Sequence, residues 1–567
     1  MSLLRKYEMK LKNEIYKILL GIYCCVSLSG FASASQQHYF QDEDYYRSGK
    51  VLKLFKSGNF TNSDLELSSY SKGTWKIIND SLHLIPESIT LQRNNFNSSD
   101  IDEGAFVENT YYVSFQSENK LTLIAKHGRF SYHDYGSTFK ESGFPINSIL
   151  RGVLGMLFLF GLAYLLSRNR KAINWSLVVK GSILQLVLAV LILKVPFVSI
   201  IFDWLAKGFT KVIDFSHDGA IFLFGSAGEM PPMLANFAFW ILPTVVFVSA
   251  LSSLMYYLGV LQFVVKKMAW VMNRFLGISG SESVAAAANV FVGQTEAPLL
   301  VKPYLDRMTK SEMLCLMVGG MATIAGGVLG AVVGILGKGD PVMELFYAKH
   351  LLTASLMSAP AAIVFAKMLL PETEKINKNL DVSKDKIGVN ALEAITNGTT
   401  DGLKLAVNVG AMLLVFTSLI ALLNYFVFKI GDWTSLNALI ESGGMYDRLS
   451  FESISGYLLS PLAWILGVEW QDAMYFGQLL GEKTIINEFI AYPHLGDIQD
   501  ELSNKTIIMS TYVLCGFANI VSIGIQVGGI GILIPNKKSM LAKLGILALI
   551  GGTLACMSTS VLAGMLF

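Results

Sequence analysis

The stretch Asn289-Val290-Phe291-Val292-Gly293-Gln294-Thr295-Glu296-Ala297-Pro298 decides the fold. It sets an amide, a hydroxyl and a carboxylate among apolar residues. Gly293 permits a chain break, and Pro298 is suited to open a new helix just beyond it. Unpaired polar groups in hydrocarbon cost several kcal/mol each, so a lipid-facing helix does not tolerate such a cluster. The segment Gly280–Tyr304 therefore reads as a re-entrant helical hairpin whose irregular tip lines a cavity. A broken helix at that depth exposes N–H dipoles on one half and carbonyls on the other, which suit a polar solute and a cation respectively. Thr484-Ile485-Ile486-Asn487-Glu488-Phe489, inside Gln471–Pro493, reads the same way and places a second carboxylate at a comparable position.

The segment after each hairpin is also interrupted. Gly319-Gly320-Met321-Ala322-Thr323-Ile324-Ala325-Gly326-Gly327 breaks one apolar run, and Gly516-Phe517-Ala518-Asn519-Ile520-Val521-Ser522-Ile523-Gly524 breaks another. A polar hairpin followed by a Gly-broken span thus occurs twice, which predicts an inverted repeat with its binding site at the repeat interface. Taken singly, a membrane Glu can be structural and a Gly-rich helix can simply pack closely. Their paired occurrence favours a pathway, since intramembrane ionisable groups usually mark one.

Further out, the composition agrees. Of 567 residues 52% are hydrophobic and only 16% are charged, against roughly 25% charged in soluble domains. A disordered chain, a nucleic-acid binder and an ordinary cytosolic enzyme are excluded. The formal charge of +2 is too balanced to imply a polyanionic partner. Candidate spans fall at 148–167, 175–195, 237–262, 311–335, 346–370, 404–428, 506–534 and 541–566, each near the ~20 residues that cross a bilayer. Phe197–Phe224, Phe263–Gly277 and Phe451–Gly467 read as amphipathic helices along a membrane face or bracing the bundle. Basic residues cluster in alternate loops: Arg168, Arg170 and Lys171; Lys266, Lys267 and Arg274; Lys302, Arg307 and Lys310; Lys375, Lys378, Lys384 and Lys386; Lys537, Lys538 and Lys543. The positive-inside rule places those loops in the cytoplasm and both termini outside. The first hairpin then enters from the cytoplasm and the second from the outside.

The N-terminal part differs. A basic start (Arg5, Lys6, Lys10, Lys12, Lys17), the apolar Ile18–Val26 and Ala32-Ser33-Ala34 read as a signal peptide over 1–34, with an uncleaved anchor as the alternative. Residues 35–146 are polar and aromatic, with short alternating runs such as Thr74–Ile78, Ser81–Ile85, Tyr111–Phe115 and Lys120–Ile124. They predict a small antiparallel β-domain outside the membrane, a sandwich or a barrel. The Gly73-Thr74-Trp75 start is similar to lipocalin-like modules. Cys24, Cys25, Cys315, Cys515 and Cys556 all lie in apolar stretches, and no Cys-x-x-Cys or His-rich cluster occurs. Neither a disulfide framework nor a zinc site is expected. The fold class is thus an all-α polytopic membrane protein of about eight spans plus two opposed re-entrant hairpins over 147–567, preceded by the β-domain.

Four blocks in order, Gly293–Leu300, Gly319–Gly330, Asn487–Tyr492 and Gly516–Gly531, closely resemble the signature motifs of concentrative nucleoside transporters. The resemblance covers 148–567 and leaves the N-terminal domain outside it. It implies that Gln294, Thr295 and Glu296 contact the nucleobase, that Glu488, Asn519 and Ser522 hold the ribose hydroxyls, and that Phe517 lies beside the base. A carboxylate accepts from hydroxyls and a glutamine offers a base edge both donor and acceptor, so the chemistry is sensible. The resemblance further implies a Na+ site made by Asn289, Val292, Thr323 and Ile324.

These implications amount to an inner-membrane importer of nucleosides, driven by sodium through alternating access. It would be a homotrimer with its N-terminal domain in the periplasm. Proton coupling through Glu296 or Glu488 is the first alternative. A receptor sensing a ligand through the outer β-domain is the second, and it lacks a cytoplasmic signalling module. Neither hairpin tip pairs a nucleophile with a histidine, so an enzyme is not expected.

Overall fold

The computed structural model describes eight strands between 43 and 133 and the segments 146–224, 242–338, 340–377, 388–442 and 446–567. The signal peptide expected over 1–34 lies outside the described residues, as do Lys378, Lys384 and Lys386. The chain divides into two compact units, Met1–Thr138 and Phe139–Phe567.

In the first unit the strands are β1 (Glu43–Arg47), β2 (Lys50–Leu54), β3 (Asn59–Asp64), β4 (Ser69–Ile78), β5 (Ser81–Leu91), β6 (Asn109–Ser117), β7 (Lys120–Ala125) and β8 (Gly128–His133). Each pairs antiparallel with the next, and β1 meets β8 at Tyr46 and His133, closing an up-and-down barrel. The seam is short, a single β1–β8 pair, and β5 meets β6 only over Ser81–Leu84. The register slips between Lys72 and Gly73, opposite Ser88 and Pro86, and Pro86 has no N–H for the ladder.

The second unit is helical. Its elements are α1 (Ile146–Leu166), α2 (Trp175–Lys194), α3 (Pro196–Phe224), α4 (Leu242–Tyr257), α5 (Val260–Leu276), α6 (Gly280–Asn289), α7 (Ala297–Leu300), α8 (Lys302–Leu305), α9 (Lys310–Ala322), α10 (Gly326–Gly337), α11 (Pro341–Leu369), α12 (Ala391–Trp433), α13 (Leu436–Ser442), α14 (Phe451–Ile465), α15 (Ala473–Ile485), α16 (Glu488–Ile498), α17 (Asn504–Leu514), α18 (Ile520–Leu533) and α19 (Lys538–Leu566). Among the described residues, five helices are long and apolar enough to cross a membrane: Asn147–Leu166, Trp175–Lys194, Lys310–Gly337, Val342–Leu369 and Pro535–Leu566.

Several expected boundaries shift. The 237–262 span is instead α4, bent by 76° into α5 across Gly259 at φ +79°. The 404–428 span is the middle of the 43-residue α12, which the Asn390 side chain starts by accepting from the Glu393 amide at 2.9 Å. Within the first hairpin the second limb is two single turns, α7 and α8, each with a proline in its first turn. The second hairpin runs on to Ile498, beyond Pro493.

Short helices buried in protein need their free N–H groups satisfied. Ser279 and Thr309 each form a reciprocal capping box, with Glu282 and Glu312, at the starts of α6 and α9. Asn487, Ser503 and Asn519 cap α16, α17 and α18. Such caps are worth about 1 kcal/mol each and set where a broken helix restarts. α6, α9, most of α11, α17 and the C-terminal half of α19 are almost wholly buried.

Candidate functional site

Two helices break at the centre of this unit. α9 ends at Ala322, Thr323 is extended (φ −116°, ψ 165°), and α10 begins at Gly326. α17 ends at Leu514, and α18 begins at Ile520 after Asn519, itself extended. The breaks touch. A Cβ placed on Gly516 would lie 2.9 Å from both the Ala322 carbonyl carbon and oxygen and 2.8 Å from Cys556 Sγ, and Gly516 holds φ +146°. Only glycine meets both demands, close approach and left-sided backbone, without strain.

Both hairpin tips reach this crossing. Gln294 Nε2 donates to Ser522 Oγ at 3.2 Å, joining the first hairpin to the second broken helix. Asn519 Nδ2 donates to Glu488 Oε2 at 3.0 Å, joining that helix to the second hairpin. The Asn519 side-chain oxygen meanwhile accepts from the Ser522 amide at 2.8 Å. Four expected residues from three segments thus form one bonded row: Gln294, Ser522, Asn519 and Glu488. Phe517 is buried in the same break. Thr295 and Glu296 are exposed; the Thr295 methyl packs towards Gly529 of α18, and Glu296 accepts from the Gly293 amide at 3.4 Å. Gln294 Oε1 is buried with no hydrogen-bond partner among the described residues, an acceptor held ready at a cost of about 1–3 kcal/mol.

The four residues of the implied cation site also converge. Asn289 is 1% exposed, and neither its Oδ1 nor its Nδ2 has a hydrogen-bond partner among the described residues. Its amide lies against Gly319, where a Cβ would come within 2.8 Å of Nδ2. Thr323 Oγ1 donates to the carbonyl of that same Gly319 at 2.9 Å, which leaves its lone pairs free. Val292 and Ile324 lie in the two non-helical stretches, stitched together by the Gly326 amide donating to the Phe291 carbonyl at 3.4 Å. An orphaned amide oxygen beside a hydroxyl and loop carbonyls is a neutral oxygen set, suited to a monovalent cation that must also leave.

Gln526 and Lys483 are among the buried polar residues that were not expected. Gln526, one turn beyond Ser522, donates from Nε2 to the Met317 carbonyl at 2.9 Å. Lys483 donates from Nζ to the Val513 carbonyl at 2.9 Å. The signal for Lys483 was its charge in a hairpin limb whose tip carries Glu488; Gln526 had no signal beyond being polar in an apolar helix.

Comparison with known proteins fits this geometry. Residues 154–227 and 350–564 match the N- and C-terminal models of the Na+-dependent nucleoside transporters, and residues 238–339 match the nucleoside recognition (gate) model between them. The chain is 39% identical over 430 residues to the nucleoside permease NupC of Helicobacter pylori, covering 74% of this chain and 98% of that one. The chain belongs to the concentrative nucleoside transporter family. It is also 39% identical over 432 residues to human solute carrier family 28 member 3, covering 73% of this chain and 59% of that one. The structure resembles CNTnw in an inward-facing substrate-bound state, with TM-score 0.66 and 38% identity over 74% of this chain and 98% of that one. A variant of CNTnw in an outward-facing state gives TM-score 0.66 and 36% identity, covering 74% and 97%. This is therefore a multi-pass membrane protein of a transporter family, not an enzyme, and Na+ is the coupling ion that the family models support.

Proposed function

We propose that this protein is a secondary active symporter that imports nucleosides, driven by a sodium gradient through alternating access. The observation that carries the reading is the bonded row Gln294–Ser522–Asn519–Glu488 where the two broken helices cross. Gln294 and Thr295 take the base edge with Glu296 beside them, Phe517 packs along the base, and Glu488, Asn519 and Ser522 take the sugar hydroxyls. Asn289, Val292, Thr323 and Ile324 take the sodium ion. Asn289 and Gln294 stand on the same hairpin, and their contacts Gly319 and Gly320 are adjacent on α9. An ion that orders this hairpin therefore favours substrate, and by linkage substrate favours the ion.

On this reading the protein is a homotrimer in a bacterial inner membrane, with two opposed re-entrant hairpins among about eight spans. Residues 1–34 act as a signal peptide, and the 35–146 β-domain lies in the periplasm as an accessory module.

The test is radiolabelled nucleoside uptake into proteoliposomes with inward sodium or proton gradients imposed separately. Saturable uptake that requires sodium is expected. Uptake driven by protons alone would move coupling to a carboxylate, and no nucleoside uptake under either gradient would refute the substrate.

A further inference from the structure

Gln526 is 0% exposed on α18, and the reading above gives it no task. Its amide orientation is fixed, because the atom that faces the Met317 carbonyl at 2.9 Å must be the donor Nε2. That leaves Oε1, which is buried with no hydrogen-bond partner among the described residues. The bond does not rescue a stranded carbonyl. Met317 lies in α9 with Met321 four residues on in the same helix, ahead of the last turn whose carbonyls go unserved. A glutamine that gives its nitrogen to an already bonded carbonyl and strands its oxygen costs stability that an apolar side chain of the same length would not. Such a group in a dry helix crossing calls for a function.

Its surroundings supply one. Ser522, Gln526 and Gly529 stand at helical spacing on α18 and so line one face of it. The tip of the first hairpin covers that face. Gln294 Nε2 donates to Ser522 Oγ at 3.2 Å, and a Cβ on Gly529 would lie 3.0 Å from the Thr295 methyl. Gln526 stands between these two contacts. A Cβ on Gly320 of α9 would lie 2.8 Å from Gln294 Cβ and 2.8 Å from Gln526 Nε2, so the two glutamines converge on a glycine that leaves room for both. The Gln294 amide nitrogen carries two N–H groups, of which Ser522 takes one. The free oxygen of Gln526 is an acceptor on the same face for the other.

We infer that Gln526 is a specificity-determining residue for the base half of the site: pinned to Met317, it seats Gln294 and so sets which nucleobase edge the Gln294 amide accepts. It is a positioning residue, acting through Gln294 rather than by touching the nucleoside. The inference rests on the nucleoside reading above and deepens it at one residue. A residue that only packed the crossing would disturb base and sugar alike, because Ser522 lies one turn away on the same face.

The experiment uses the full chain in proteoliposomes and two pairs of substrates. One pair differs only at the base edge: uridine and cytidine, or adenosine and inosine for a carrier that takes purines. The other pair, a ribonucleoside and its 3′-deoxy analogue, differs only at the sugar. Wild-type uptake is measured first, and no uptake of any of these would refute the nucleoside reading and this inference with it. With wild-type uptake established, Gln526→Met is expected to shift the KM ratio of the base-edge pair about fivefold, the scale of one neutral hydrogen bond, and to leave the ratio of the sugar pair within about twofold. In a Gln294→Ala background the same substitution should no longer shift the base-edge ratio. The purified Gln526→Met protein is expected to melt no lower than wild type, since the change strands no polar group. An unchanged base-edge ratio, a shift of both ratios together, a base-edge shift that survives in the Gln294→Ala background, or failure of Gln526→Met to fold would each overturn the proposal.

Discussion

Gly516→Ala tests the crossing of the two broken helices, on which the whole site depends. The added Cβ would sit 2.8 Å from Cys556 Sγ and 2.9 Å from the Ala322 carbonyl carbon and oxygen. The latter two are backbone atoms that cannot swing aside, so the helices must separate by several tenths of an ångström. The φ of +146° adds strain for any side chain. Strained backbone costs about 1–3 kcal/mol and overpacking about 1–3 kcal/mol more, together about 2–6 kcal/mol. Gly524, on α18, is the control: nothing lies within 4 Å of its Cβ position, and alanine within a helix gains about 0.5–1 kcal/mol over glycine. Thermal unfolding of the purified protein and initial rates of nucleoside uptake should both be measured. Gly516→Ala is expected to melt several degrees lower and to lose most uptake, whereas Gly524→Ala keeps both. Matching melting points and matching uptake for the two variants would refute the contact between the breaks.

Three further outcomes follow from named contacts. Ser522→Ala removes the 3.2 Å bond from Gln294, worth about 1 kcal/mol, and should raise nucleoside KM about fivefold without changing the sodium half-saturation. Thr323→Val removes the hydroxyl that meets the Gly319 carbonyl, the residue against which the Asn289 amide also lies, and should raise the sodium half-saturation roughly tenfold, the scale of one contact to a charge, while Thr323→Ser stays near wild type. Lys367→Met leaves Glu282, 0% exposed, without the ammonium that pairs it; breaking a buried pair costs about 3–5 kcal/mol, so thermal unfolding should show a large loss that Lys367→Met/Glu282→Gln largely recovers. Near its other partner, Glu372, burial pushes the carboxyl up, but the Glu374 amide, Lys367 and the Thr309 hydroxyl outweigh it and hold it below the usual carboxylate range.

What the sequence made legible was the places where apolar patterning fails for a costly reason. Asn289, Gln294 and Glu488 sit where hydrocarbon would penalise them, and Gly319, Gly320 and Gly516 sit where a helix gains nothing from glycine. Each anomaly marks a side-chain bond, an unpartnered polar group among the described residues, or a close approach in the structure. Hydropathy misplaced the ends of elements whose limits are set by other means. α12 runs from Ala391 to Trp433 because the Asn390 cap starts it and its polar flanks remain good helix, although only its middle is apolar. The bend after α4 turns on Gly259, a single residue in a favourable conformation. Lys483 was passed over because a lone lysine near a helix end normally extends its ammonium to water.

Partnership was the harder quantity to read. Gln294 and Ser522 are 228 positions apart, and no periodicity connects them. Two features visible singly, a hairpin tip and a Gly-broken span, become one site only because Gly516 lets the second break lie on the Ala322 carbonyl of the first. Once that crossing is fixed, the Asn519 cap does two tasks with one amide. Its oxygen starts α18 by accepting from Ser522, and its nitrogen is thereby turned towards Glu488. Helix capping and the geometry of the proposed substrate site are then the same set of bonds. Unwinding the first turn of α18 would also free the Asn519 amide from Glu488, so the chain has a direct physical route for linking backbone rearrangement to the release of the carboxylate proposed above to bind the sugar.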